Sequence, residues 1–138
     1  MTSPSIGRLL NARHRELRDA IQSAIEASGF DDFRLAHQAI FAVLPGEGAR
    51  IGQLASKAQL AKQTLTELIA HLAERGYVER VPDPADGRAQ LVRRTLRGDE
   101  VDRVAQIAIA QVEGRWRRRL GKQRFDALRA ALSELDFG

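Results

Sequence analysis

Apolar positions recur at steps of three and four between residues 4 and 27: Ile6, Leu9, Leu10, Leu17, Ile21, Ala24 and Ile25. That period predicts an amphipathic helix, capped by Ser3 with Pro4 in its first turn and ended at Gly29. The helix is long and has few local partners, so its apolar face is expected to meet something outside this chain. A second helix is expected over residues 32 to 44, capped by Asp31 or Asp32. Phe33, Leu35, Ala36, Ile40, Phe41, Val43 and Leu44 make it apolar on more than one side, so it reads as the central buried helix. PGEG at 45 to 48 ends it.

The pattern then shortens. Ala49 to Ile51 reads as one short strand and Gly52 to Ala58 as a short helix with Leu54 and Ala55 inward. After a tight connection at 59 to 61, a helix runs from Lys62 to Arg75 with a narrow stripe of Leu65, Leu68, Ile69 and Leu72, ended by Gly76. Two short helices joined by a three- or four-residue turn form a helix-turn-helix unit. Two β-like runs follow, Tyr77 to Val81 and Gln90 to Leu96. Between them lies PDPADGR, whose Pro, Asp and Gly residues are turn formers, and a loop of this length is expected to protrude. A long helix is expected from Gly98 to Leu120, with Gly114 allowing a bend, and a last one over 122 to 136. The fold class is therefore mainly α with a small β-wing, a winged helix-turn-helix flanked by long N- and C-terminal helices.

Length fits one domain: the chain has 138 residues. Charge changes the picture more. The net charge is +4 and the sequence pI about 10.3, which fits a nucleic-acid binder and would equally fit a membrane surface or an acidic partner. There is no cysteine, which excludes disulfides, a cysteine nucleophile and Cys-based zinc sites. No signal-peptide core or membrane-length apolar run is present, so a soluble, cytoplasmic protein with no membrane partner is expected. The three histidines, 14, 37 and 71, have no metal-ligand spacing with one another or with acids, so no metal or other cofactor is expected. No nucleophile elbow, phosphate-binding glycine loop or HExxH occurs, and the chain is not expected to be an enzyme.

The second helix of a winged unit lies in the major groove and reads it near its N-terminus. Lys62, Gln63, Thr64 and Thr66 have the right chemistry there. Lys62 can neutralise a phosphate, the threonines can donate to phosphates or touch a thymine methyl, and Gln63 can pair bidentately with adenine. The plain alternative is a solvated helix face. Arg88 lies in the protruding turn, where an arginine can enter the minor groove. Its alternative is a pair with Asp83 or Asp86. Arg93 is a further DNA candidate, and Arg94 and Arg97 follow it on the returning run with no acid between Arg88 and Arg97. His37 either lines a ligand pocket between helices or packs in the core with one hydrogen bond. Trp116 reads as interface packing rather than ligand stacking. The basic run RWRRRLGKQR at 115 to 124 reads as a mostly solvated face.

These motifs resemble the MarR family of bacterial transcriptional regulators. The matching stretches are FRLAHQAIFAVL (33–44), RIGQLASKAQLAKQTLTELIAHLAERGYVERVPDPADGRAQLVRRT (50–95) and Gly98. The resemblance spans nearly the whole chain. It implies a single domain, with residues 31–97 as the winged helix lobe and residues 1–30 and 98–138 as dimerisation helices. It implies a homodimer that binds double-stranded DNA at a pseudo-palindromic operator, with the wing arginines in flanking minor grooves. It also implies a repressor that releases DNA when a small, aromatic or anionic effector binds between the dimer helices and the lobe. Departures exist. Ala61 stands where relatives often carry a capping Asp or Ser, Glu67 where many carry arginine, and Arg94 and Leu96 where an apolar residue and proline are usual. The cysteine-free chain cannot work like the thiol-based peroxide sensors. Glu67, Glu74 and the missing cap favour a rival, a winged-helix protein-interaction module with a decayed DNA face, and a small-molecule-binding enzyme or buffer protein is a third reading.

Overall fold

The computed structural model describes residues 2–135. Six helices and a two-stranded antiparallel sheet run in the order α1 (Ile6–Ala27), α2 (Leu35–Phe41), α3 (Ile51–Ala58), α4 (Lys62–Glu74), β1 (Val78–Asp83), β2 (Asp86–Arg94), α5 (Leu96–Leu120), α6 (Lys122–Glu134). The winged helix order and the long flanking helices match the sequence expectation. No helix among the described residues is long and apolar enough to cross a membrane. The last helix was expected to reach residue 136, which lies outside the described residues.

Several boundaries differ, each for a local reason. The cap of α1 is Ser5, not Ser3: its Oγ accepts the Arg8 N–H at 3.1 Å, and Pro4 precedes the helix. At the other end Gly29 sits at φ +91°, and the Phe30 N–H reaches back to the Ile25 carbonyl at 3.1 Å, so glycine closes the helix as expected. Helix α2 starts three residues later than expected and is short. Neither Asp31 nor Asp32 caps it. Instead the Arg34 N–H donates to His37 Nδ1 at 2.9 Å, and the Asp32 carboxylate turns away to the Tyr77 hydroxyl. The strand expected at Ala49–Ile51 reduces to one bridge, in which Ala49 and Val92 exchange backbone hydrogen bonds of 3.0 and 2.9 Å, because Ile51 already belongs to α3. Helix α5 begins before Gly98, since Thr95 Oγ1 caps it by accepting the Gly98 N–H at 3.1 Å. It then runs without a break through Gly114.

One core joins these elements. Phe33, Ile40, Leu54, Leu65, Ile69, Leu72, Tyr77, Val92 and Val101 are buried, drawn from the α1–α2 loop, every helix of the lobe, the wing root and the start of α5. Full burial of each large apolar side chain is worth roughly 1.5–3 kcal/mol. The long helices are covered only in part. Helices α1 and α5 pack on each other, and Trp116 Nε1 on α5 donates to Glu16 Oε1 on α1 at 2.9 Å. Ile6, Leu9 and Leu10 on α1, and Leu128, Leu132 and Leu135 on or just after α6, remain exposed.

Candidate nucleic-acid interface

The α4 sequence has apolar residues on one side only, and the lobe takes up that side. Leu65, Ile69 and Leu72 are buried and Leu68 is half-buried, as the stripe predicts. Lys62, Gln63, Thr64, Thr66, Glu67, Ala70, His71 and Glu74 are all exposed on the remaining surface. Lys62, Gln63 and Thr64 make no side-chain hydrogen bond or ion pair among the described residues. The Thr66 hydroxyl does: it donates to the Lys62 carbonyl at 2.8 Å. Thr66 thus presents its methyl group and oxygen lone pairs outward rather than a free donor. No side chain caps the helix at Ala61. The first-turn amides are left without a side-chain acceptor, and a helix N-terminus with free amides favours an approaching anion.

The wing is tighter than its sequence indicates. The strands extend to Asp83 and Asp86, so only Pro84 and Ala85 connect them, where a loose seven-residue loop was expected. Asp83 and Asp86 build the turn themselves. Asp83 Oδ1 accepts the Ala85 N–H at 2.9 Å and Asp86 Oδ1 accepts the Arg88 N–H at 3.1 Å. Pro82 pairs with Gln90 while Asp83 pairs with Asp86, so Gly87, Arg88 and Ala89 bulge out of the ladder. Arg88 is exposed on that bulge. Its guanidinium makes no ion pair among the described residues; Asp83 is engaged by Arg50, and Asp86 Oδ1 accepts the Arg88 backbone N–H.

The other wing arginines are committed to the protein. Arg93 Nε lies 2.8 Å from Glu79 Oε1, its direct cross-strand neighbour. Arg94, largely covered, bonds Asp99 at 3.0 Å and donates to the Leu44 carbonyl at 2.8 Å. Arg97 donates to the Tyr77 hydroxyl at 3.0 Å, lies 3.4 Å from Asp32 Oδ1, and stacks its guanidinium 4.6 Å from the Tyr77 ring centre. The Tyr77 hydroxyl in turn donates to Asp32 Oδ1. Sequence reasoning missed this triad and the Arg50–Asp83 pair.

His37 is buried and neutral. Burial, followed by the charges of Arg75, His71 and Arg34, pushes its pKa down to about 4. Its Nδ1 accepts the Arg34 N–H and its ring lies 5.4 Å from Phe33. A cavity of about 50 Å³ between α1, α2 and α5 is lined by Ile21, Phe33, Gln38, Phe41, Val101 and Ala105 among others, and His37 is not in its wall. Drug-sized ligand pockets are ~300–1,000 Å³, so this cavity is far smaller.

Known proteins share this arrangement. The family model described as MarR family matches residues 34–89, from the start of α2 to the wing bulge. An HTH-type transcriptional regulator of Mycobacterium tuberculosis is 33% identical over 98 residues, covering 70% of this chain and 68% of the relative. The crystal structure of CouR from Rhodococcus jostii RHA1 bound to p-coumaroyl-CoA superposes with a TM-score of 0.75 at 24% identity, covering 96% of this chain and 92% of that one. The structure of the transcriptional repressor CouR bound to a 23-mer DNA duplex gives a TM-score of 0.72 at 18% identity, with 95% and 92% coverage. With the helix-turn-helix, the wing and the flanking helices all in place, the chain belongs to the MarR family of transcriptional regulators.

Proposed function

We propose that the protein is a sequence-specific double-stranded DNA-binding repressor that acts as a homodimer in the cytoplasm and responds to a small ligand. The observation that carries this reading is one of solvation. Among the described residues, the start of α4 presents Lys62, Gln63 and Thr64 without side-chain partners, and the neighbouring wing presents an Arg88 whose guanidinium is unpaired. Lys62 and Thr64 take phosphate, Gln63 reads a base edge, Thr66 offers its methyl to a thymine, and Arg88 reaches the adjacent minor groove. Arg93 adds a phosphate contact in competition with Glu79, which holds its Nε. CouR, a protein of the same fold, is known with a DNA duplex bound, which supports a duplex as the partner.

Dimerisation is supported by the uncovered leucines and isoleucine on α1 and on or just after α6. An exposed apolar row at both chain ends, Ile6, Leu9 and Leu10 with Leu128, Leu132 and Leu135, fits a second copy. Two α4 helices then meet successive major grooves of a pseudo-palindrome. A small aromatic or anionic effector acts by differential affinity for lobe spacings that do and do not fit DNA. CouR, known with p-coumaroyl-CoA bound, supports an effector of that character. To sit between α1, α2 and α5 such a ligand must widen the cavity there, and His37 enters that wall only if α2 shifts.

One observation favours the interaction-module reading. Glu67 is exposed on α4 among the DNA-facing residues and has no cationic partner among the described residues. A carboxylate there repels phosphate unless it accepts from a cytosine amino group. A selection from a randomised duplex library at ~150 mM salt separates the readings. Enrichment of a pseudo-palindrome with half-sites about one helical turn apart supports the repressor. Weak, salt-sensitive binding without enrichment, or a concentration-independent monomer by light scattering, would sink it.

A further inference from the structure

The wing meets the rest of the lobe at two levels. At the root, Ala49 bridges Val92. The very next residue, Arg50, makes the second tie: its Nη2 and Nε lie 2.6 and 2.8 Å from Asp83 Oδ2 at the turn. Val92 pairs with Arg80, so Asp83 is three residues further out along β1, about 10 Å at ~3.3 Å per residue. Beyond the Val92 bridge the wing is a two-stranded ribbon, and isolated two-stranded ribbons are marginal in water. Pro82 and residues 84–88 are exposed, but the Asp83 side chain is only 11% exposed, covered by the arginine that holds it.

Arg50 is also the first residue of α3's framework. It sits at the N-cap in extended conformation, and its own N–H donates to Gln53 Oε1 at 3.1 Å. The arginine therefore links the helix packed against α4 to the turn that orients the Arg88 bulge. Asp83 is suited to be the fixed end. Its other oxygen accepts the Ala85 amide, and the amide and then the Arg50 side chain hold its carboxyl below the ordinary value, so it stays ionised.

We propose that Arg50 is a positioning residue for DNA recognition: clamped on Asp83, it fixes the wing turn against α3 so that Arg88 is held in reach of the groove beside α4. The proposal rests on the DNA-binding reading above. It assigns Arg50 no DNA contact of its own, since its Nε and Nη2 both face Asp83 Oδ2.

A double-mutant cycle on the duplex recovered by the selection tests this. Arg50→Gln is expected to weaken binding about tenfold, as is Arg88→Ala, the scale of one lost contact. The double variant is expected to bind about as well as Arg88→Ala alone, because Arg50 acts only through Arg88. The swapped pair Arg50→Asp with Asp83→Arg is expected to recover most of the loss. Multiplying losses, or no loss in Arg50→Gln, would overturn the proposal. Amide hydrogen exchange of residues 85–89 in the free protein gives a DNA-independent reading. It should quicken in Arg50→Gln, and equal rates would refute the strut. If Arg50→Gln does not fold, Asp83→Asn breaks the same clamp from the other side. A wild-type protein that selects no duplex would overturn the DNA-binding function itself, and the exchange result alone would then decide the strut.

Discussion

The two ends of the wing are built from the same residue types and solve opposite problems. At the root, Arg94 and Arg97 are tied to Leu44, Asp99, Tyr77 and Asp32, and Tyr77 and Val92 are buried. At the tip, Arg88 stands on a bulge with its guanidinium unpaired among the described residues. Partners within reach make the difference for Arg97, which is itself about half exposed, and coverage adds to it for Arg94. Polar groups taken out of water must find partners inside the protein, whereas an exposed guanidinium keeps its hydration until a ligand replaces it. Root changes should therefore cost stability and tip changes should cost binding.

The largest effect is expected at the root. A Cβ on Gly98 would stand 2.1 Å from the Tyr77 carbonyl oxygen and 3.1 Å from Arg94 Cβ. Backbone on one side and a covered arginine on the other cannot give way cheaply. Gly98→Ala is expected to destabilise by about 3 kcal/mol in denaturant unfolding, the upper range for overpacking. DNA binding should fall only as far as the folded fraction does. A variant of wild-type stability would mean that the start of α5 is free to shift away from the wing.

The tip comes next. Arg88→Ala is expected to lose about 1–2 kcal/mol of duplex affinity and to reduce the salt slope by about one. Its unfolding midpoint should match the wild type, because its guanidinium has no partner among the described residues to leave behind. A stability loss comparable to the binding loss would erase the contrast between the two ends.

The contrast was legible in part. Alternation of apolar residues, the Gly76 stop and the Pro/Asp/Gly turn predicted the helix–wing–helix order, because those signals are local. The stripe on α4 predicted which face would stay in water. The roles of single arginines were not legible. Arg94 and Arg97 look like Arg88 in the sequence, but their partners Leu44 and Asp32 lie 50 and 65 residues away. The same distance hid the missing Asp32 cap: the Tyr77 hydroxyl, 45 residues on, competes for that carboxylate and wins it. Arg50 was hidden likewise, since Asp83 lies 33 residues further along the chain.

A smaller effect is expected from Tyr77→Phe, which keeps the ring and removes one hydroxyl. The hydroxyl serves Asp32 and Arg97 together, so about 1 kcal/mol of stability should go. The loss should depend on pH. The Tyr77 hydrogen bond, then Arg97, outweighs desolvation and holds the Asp32 carboxyl below its ordinary value of 3.8. A depressed acid contributes its stability in full above that value and loses it as pH falls through the lower folded one. Burial, followed by the bond to Asp32, pushes Tyr77 from 10.0 up to about 12, so its own contribution is full below pH 10 and fades toward 12. The gap between wild type and variant should therefore be widest from about pH 4 to 10 and narrow on either side. A gap independent of pH would show that the lost bond carries no charge.

The smallest effect lies between the two ends, at the pair of Arg93 with Glu79. Both side chains are about half exposed, 48% and 45%, so the ion pair is well screened. Exposed pairs contribute ~0–1 kcal/mol, and Glu79→Gln should leave the unfolding free energy nearly unchanged. Binding should move the other way. The carboxylate pairs with the charge that Arg93 could offer to a phosphate, and it adds a negative charge of its own beside it. Neutralising it releases a cation and removes a repulsion, so duplex affinity should rise a few-fold and the salt slope steepen by about one. If affinity does not change, Arg93 points away from the bound duplex and belongs with the root. If it rises as expected, Arg93 is a tip residue held back by its neighbour, and the boundary between the two ends runs between Arg93 and Arg94.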